Sequence, residues 1–336
     1  MNRKGILSTV VRAALCALFA TSNSTGVLAD EGGVSFWLPG TFGSLAATPG
    51  TPGWSWATLY LHSDVAAGAG AQFPRGGRLD VGISGRADLL AFGPTYTFAT
   101  PVLGAQLSIG VLGIAGPTQA SAALSLTGPL GNTIALGRTQ DLTSFGDMLP
   151  QVTLKWNQGV NNFMVYGTGD IPVGDYDPIR LANLGIGHGA IDFGGGYTYF
   201  DPKSGNEFSW VTGLTYNFKN TSTQYQNGMD FHVDWGASHF FNNKFQLGVV
   251  GYYFQQVTDD FGAPASLDGF RSRVAGIGPQ FGYIFPIGDK LQGYLNLKGY
   301  WEFAAQNRPE GWNTWLTFAI SPAAPEPDSA KPTYHK

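Results

Sequence analysis

From Ala190 to Gln256 the chain alternates polarity residue by residue. In Ala190–Phe200, Ile191, Phe193, Tyr197 and Tyr199 are apolar or aromatic, whereas Asp192, Gly194, Gly196 and Thr198 are polar or small. In 207–218, Phe208, Trp210, Leu214, Tyr216 and Phe218 share one side, and Glu207, Ser209, Thr215 and Asn217 the other. In 230–238, Phe231, Val233 and Trp235 oppose Asp230, His232, Asp234 and Ser238. Period two is the signature of a strand with unlike faces. Aromatics at both ends of strand after strand suit the interfacial girdles of a transmembrane barrel better than the buried face of a soluble sandwich.

Read in order, the same pattern predicts strands at 54–62 and 88–98, and from Gly104. It continues at 147–156, 162–170, 190–200, 207–218, 230–240, 244–256, 272–285, 291–303 and 312–320. The strand at 291–303 alternates most clearly, with Leu291, Leu295, Leu297, Trp301 and Phe303 outside and Gln292, Tyr294, Asn296, Lys298, Tyr300 and Glu302 inside. Long loops are expected between His62 and Asp88, and from about 121–132 to about Phe145. Further loops fall at 171–188, 219–228 and 257–270. Short turns fall at 100–103, 157–161, 201–206, Asn242-Asn243 and 286–290. The expected fold is all-β: a transmembrane antiparallel β-barrel of about 12 strands, with short turns and both termini periplasmic and long loops outside.

The ends read differently. Residues 1–29 carry Arg3 and Lys4, an apolar-rich run and Val27-Leu28-Ala29, the layout of a cleaved secretory signal peptide. The single cysteine, Cys16, lies in it, and Leu15 before it is too large for a lipoprotein cleavage site. Residues 30–53 are rich in Gly and Pro around Phe36, Trp37, Leu38 and Phe42, which rules out a helix or central strand. They form either a periplasmic extension or, the reading adopted, a plug in the barrel mouth that shelters those aromatics. The barrel is expected over 54–320, with a periplasmic tail at 321–336.

Composition agrees. Removing Arg3, Lys4 and Arg12 with residues 1–29 leaves 16 basic against 23 acidic residues, a net charge of −7, which excludes a nucleic-acid partner. Beyond residue 29 no run of about 18 apolar residues offers a helical span. Hydropathy near zero (−0.03) with 14% aromatic and only 12% charged residues fits a barrel whose polar side faces a lumen and whose apolar side faces lipid.

The ionisable residues assigned to the lumen are Asp147, Lys155, Asp192, Asp230, His232, Asp234, Lys298 and Glu302. They either line a path or pair across a narrow barrel. His232 and His239, seven apart, fall on opposite faces and cannot share a metal; no metal or cofactor is expected. A hydrolytic set of His232, Ser209 and Asp234 needs a fortunate register. The loop acids Asp175, Asp177, Asp259 and Asp260 read either as solvated or as cation sites at the lipopolysaccharide surface.

The stretches FWLPGTFGSLAATPGTPGW, GDIPVGDYDP, IGHGAIDFGGGYTYF, NTSTQYQNG and GYLNLKGYWEFAAQNRPEGWNTWLTFAISP resemble the outer-membrane family named for the meta-pathway of phenol degradation. The resemblance spans about 31–322. It implies a bacterial outer-membrane channel admitting hydrophobic or aromatic compounds, distantly similar to fatty-acid channels, with no catalytic residues. The chain departs from the usual barrel ending, because residues 321–336 follow the last strand. The assembly machinery therefore reads either Phe318 or Ile320.

The resulting expectation is a monomeric passive transporter in contact with outer-membrane lipids and lipopolysaccharide. Phe36, Trp37, Phe42, Tyr294 and Tyr300 offer an apolar surface to the solute, and Lys155, Asp192, His232, Asp234, Lys298 and Glu302 set charge preference. A structural or adhesive barrel with a closed lumen and a lipid-modifying barrel enzyme are the alternatives.

Overall fold

A strand with one apolar and one polar side leaves its edge amides unpaired in lipid, so a membrane-crossing sheet must close on itself. This one does. The computed structural model describes residues 35–73, 77–127, 129–130, 132–242, 244–262 and 271–323. Twelve strands follow in chain order, β1(Gly53–Phe73), β2(Gly77–Thr97), β3(Gln106–Thr127), β4(Thr133–Gln158), β5(Asn161–Asp170), β6(Ala190–Asp201), β7(Asn206–Asn217), β8(Asp230–Phe241), β9(Phe245–Gln256), β10(Arg273–Ile287), β11(Leu291–Gln306) and β12(Glu310–Pro322). Each pairs with its chain neighbours and β12 closes on β1, with Trp56 opposite Ile320. Among the described residues no helix is long and apolar enough to cross a membrane.

Alternation sorts the side chains as read from sequence. Phe193, Trp210, Leu214, Leu295, Leu297, Trp301 and Phe303 are exposed on the outside, while Asp192, Thr198, Ser209, His232, Asp234 and Lys298 are buried inside. Aromatic ladders such as Trp54–Tyr96–Phe98 and Phe285–Phe318 occupy the periplasmic end of the outer face.

Two expected loops are strands instead. β1 and β2 continue as one ladder from Gly53↔Thr97 to Phe73↔Gly77, where a long loop was expected between His62 and Asp88. β4 starts at Thr133, not near Asp147, and pairs with β3 as far as Thr127↔Thr133. A crossing needs about 10 residues; β5 has 10 and β4 has 26. The surplus of β1–β4 is a four-stranded sheet standing above the barrel on the side of the long connections. The sequence hides it because its pattern is built on Ala, Gly, Ser and Thr, whose alternation has little contrast. Residues 1–34, 74–76, 128, 131, 243, 263–270 and 324–336 lie outside the described residues, and with them the leader, the tail, the start of the N-terminal segment and most of the loop expected at 257–270.

Candidate functional site

Residues 35–52 cross the interior and hydrogen-bond to the inward faces of seven strands, β3, β4, β6, β7, β8, β10 and β11. Successive strands present polar side chains at the levels that the segment's backbone passes. Asp234 of β8 accepts from Gly40 N and Phe42 N, one on each carboxylate oxygen, both at 3.0 Å. On the carbonyl side, Lys298 Nζ of β11 donates to Gly40 O at 2.5 Å and to the carbonyls of Thr41 and Phe42 at 3.3 Å. Residues 40–42 are thus held between a carboxylate and an ammonium, each satisfied by peptide dipoles.

The remaining contacts follow the chain. Ser44 Oγ lies 2.8 Å from Ser238 Oγ and accepts from Gln280 Nε2 at 2.6 Å. Leu45 N donates to Glu207 Oε1 and Ala47 N to Thr198 Oγ1, both at 3.0 Å. Lys155 Nζ donates to Thr48 O at 3.2 Å, and Gln106 makes two 2.7 Å bonds with Gly50 N and O. Most of these bonds reach main-chain groups. Gly40 is needed for its conformation: at φ +89° a Cβ would sit 2.9 Å from Tyr300 Cε2.

The segment's aromatic side chains pack separately from this polar clasp. Trp37, 4% exposed, stacks on His232 with ring centroids 3.6 Å apart and 13° between planes. Phe42 lies 5.7 Å from Trp37 and 5.5 Å from Tyr166. Leu59 and Leu61 of β1 and Leu89 of β2 belong to the same apolar cluster. Phe36 is buried.

His232 is fully buried. Its Nε2 is 2.9 Å from Asp192 Oδ2, and Asp192 also accepts from Tyr166 OH at 2.7 Å and Thr215 Oγ1 at 2.6 Å. Gly194 makes room for the Tyr166 ring: a Cβ there would lie 2.5 Å from Cε1. Tyr300 is buried between Tyr252 and Gly40, Tyr294 OH donates to Gln246 at 2.7 Å, and Glu302 accepts from Tyr252 OH at 2.7 Å and Gly311 N at 2.9 Å. The geometry therefore brings Trp37, Phe42, His232 and Asp192 into one cluster and Asp234 and Lys298 onto one peptide stretch. Lys155, Tyr294 and Glu302 lie apart from both.

Several members were not singled out from sequence: Tyr166, Gln106, Thr198, Glu207, Ser238 and Gln280. Alternation alone put Thr198, Glu207 and Ser238 on the polar side, but nothing local said that they meet residues some 150–190 positions earlier. The hydrolytic set does not assemble. Ser209 Oγ bonds Glu207 and Thr198, Asp234 is engaged by backbone, and in the β7–β8 register Ser209 faces Gly236 while His232 faces Gly213.

On the outer side the loops fold inward. Asp147 accepts Gly174 N at 2.7 Å and Ile186 N at 2.8 Å, tying down loop 171–189, and Asn227 Nδ2 lies 3.3 Å from His188 Nε2. Asp260 accepts from Gly228 N, Gln256 Nε2 and Tyr225 OH. The loop acids find partners: Asp259 pairs with Arg271 at 2.8 Å. Arg180 donates both terminal nitrogens to Asp175, a hydrogen-bonded pairing that holds the Asp175 carboxyl below the usual range. Among the described residues no group of three His, Cys, Asp or Glu is arranged to hold a metal.

A closed twelve-stranded barrel with an apolar outer belt and a polar interior is a transmembrane barrel of the bacterial outer membrane. Its sequence matches, over residues 62–318, the family described as "Putative MetA-pathway of phenol degradation", and the chain belongs to that family. No curated protein sequence matches it. Among solved structures it is similar in fold to an outer membrane channel from Pseudomonas putida F1, at 14% identity and a TM-score of 0.61, covering 85% of this chain and 100% of that one. Two looser likenesses carry no argument. One is to a Pseudomonas aeruginosa FadL homologue (9% identity, TM-score 0.32, 80% and 88% covered), the other to the CymD monoaromatic hydrocarbon channel (8%, 0.33, 81% and 89%).

Proposed function

We propose that this protein is a channel for passive uptake of small hydrophobic or aromatic compounds, with residues 35–52 as a displaceable stopper, and that it is not an enzyme. The observation that carries the reading is the division of labour within the segment. The stopper's backbone is bonded to polar side chains of the barrel wall, whereas the rings of Trp37 and Phe42 pack on His232 and Tyr166 and share one apolar cluster with Leu59, Leu61 and Leu89 of β1 and β2. A solute that competes for the apolar side meets aromatic and aliphatic surface, the lining that orients amphipathic phenols. Family membership and the likeness in fold to an outer membrane channel support the same reading.

In this reading residues 1–29 are a leader lost on export and the barrel-assembly machinery inserts the chain next to lipopolysaccharide. Phe36, Trp37, Phe42 and His232 contact the solute, while Lys155, Asp192, Asp234, Lys298 and Glu302 govern charge preference. Deleting residues 33–48 tests it. The variant is expected to remain a folded, heat-modifiable barrel with larger single-channel conductance and weaker discrimination in favour of toluene in liposome flux. A properly folded deletion with unchanged conductance would leave the closed structural barrel as the better account.

A further inference from the structure

Above the membrane the sheet formed by β1–β4 reverses its polarity. The β1–β2 ladder runs without a break, so the side carrying Trp54 and Trp56 towards lipid also carries Asp64 and Arg86 further up. There the outer side is a set of polar pairs: Arg78 with Asp80, Gln119 with Asp141, Ser121 with Thr139 and Thr127 with Thr133. The lumen side carries the aliphatic residues instead. Val81, Leu124 and Leu136 are direct cross-strand neighbours, and so are Leu79, Leu126 and Ile134. Four of the six are open to solvent: Val81 44%, Leu124 37%, Ile134 67% and Leu136 46%.

Within the belt an apolar outer side answers to lipid. Above it the polar outer side faces water, so lipid does not account for aliphatics on the lumen side. That side descends through Ile83, Ala67, Val65 and Ala87, with only Gly85 and Ser63 between them on β1 and β2, to Leu89 and Leu61, which already pack in the apolar cluster around Trp37. Arg138 is the only charged residue on the lumen side of the extension among the described residues. Loop 171–189 covers only its foot, where Leu184 approaches Gly146 and Leu181 N donates to Gln140. From Leu61 to the level of Leu79 the strands rise about 10 residues, roughly 34 Å.

We infer that this face is an extracellular docking surface for uncharged hydrophobic small molecules, which collect at Val81, Leu124 and Leu136 and move down the aliphatic strip to the stopper. The inference rests on the channel reading for its purpose, but the site can be assayed without transport. In nanodiscs, binding of the fluorescent hydrophobe N-phenyl-1-naphthylamine is compared among wild type, the triple variant Val81→Glu/Leu124→Glu/Leu136→Glu and the outer-side control Ser121→Glu/Thr139→Glu. Heat-modifiability and single-channel conductance report that each barrel is intact.

The triple variant is expected to weaken binding at least tenfold and to slow toluene uptake into liposomes at low but not saturating concentration, with the control unchanged. Equal binding in wild type and triple variant overturns the inference. So does a wild type that passes toluene without saturable probe binding, an outcome that leaves the channel reading standing. A concentration-dependent dimer that only the triple variant abolishes would assign the face to a second copy and also overturn it. If wild type binds the probe through this face yet passes no toluene, the channel reading fails and the docking surface stands.

Discussion

Asp234→Ala should open the lumen. The Asp234 carboxylate is the shared acceptor for Gly40 N and Phe42 N, each at 3.0 Å. Hydrogen bonds to a charged group contribute about 1.5–3 kcal/mol each, so losing both costs the closed arrangement about 3–6 kcal/mol. At about 1.4 kcal/mol per decade, the ratio of displaced to seated stopper rises by roughly 10²–10⁴. Lys298 gives no compensation, because its three contacts are the carbonyls of the same three residues and the carboxylate that balanced its charge is gone. Asp234→Asn keeps the shape and one acceptor oxygen, and should fall about midway. The assay is single-channel recording in planar bilayers, with heat-modifiability on gels as the folding control. Wild-type closed dwell times in a correctly folded Asp234→Ala barrel would refute the reasoning, since the two Asp234 bonds would then be dispensable.

Three other outcomes are expected. Gly40→Ala should act like a milder Asp234→Ala, because its left-handed backbone costs a non-glycine residue about 1–2 kcal/mol and the new Cβ meets Tyr300; unchanged closed dwell times would contradict this. Phe193→Arg, on the lipid side at 62% exposure, should lose about 2–4 kcal/mol of assembled barrel, whereas Ser121→Arg, on the same outer side but above the membrane, should assemble normally; equal yields of heat-modifiable protein would misplace the belt. Cysteines at Leu130 and Gln224 should be labelled on intact cells by a membrane-impermeant maleimide, and one at Lys203 should not; labelling at Lys203 would invert the topology.

The strands that were legible in sequence carry strong contrast on both sides. In β8, Phe231, Val233 and Trp235 against His232 and Asp234 leave one arrangement in a membrane, and the structure has it. The extension was illegible for two physical reasons. Its strands place Ala, Gly, Ser and Thr where β8 places aromatics and acids, so period two is present in geometry but faint in hydropathy. Its aliphatic residues also lie on the lumen side, so a reader expecting apolar-out finds Val81, Leu124 and Leu136 out of phase and infers loops. The inward direction of Asp192, His232, Asp234 and Lys298 needed only alternation. Their partners needed the closed barrel: the bond from Gly40 N to Asp234 spans 194 residues, and no local pattern states which strand lies across the lumen.

How the N-terminal segment is held bears on what its side chains are free to do. The clasp reads peptide groups, with Asp234, Lys298, Glu207, Thr198, Lys155 and Gln106 all bonded to backbone N–H or C=O of residues 40–50. Holding therefore depends little on side-chain identity except at Gly40, where any Cβ collides, and at Ser44, whose hydroxyl joins Ser238 and Gln280. The rings of Trp37 and Phe42 make none of these polar contacts, although Phe42 N and O both belong to the clasp, and Trp37 Nε1 has no hydrogen-bond partner although it is buried. A solute that displaces these two rings removes apolar packing without directly breaking the clasp, whereas loss of Asp234 removes two bonds of the clasp and leaves the rings chemically intact. Seating and solute preference are in that sense separable, so replacing Trp37 should change which compounds pass more than how long the lumen stays closed.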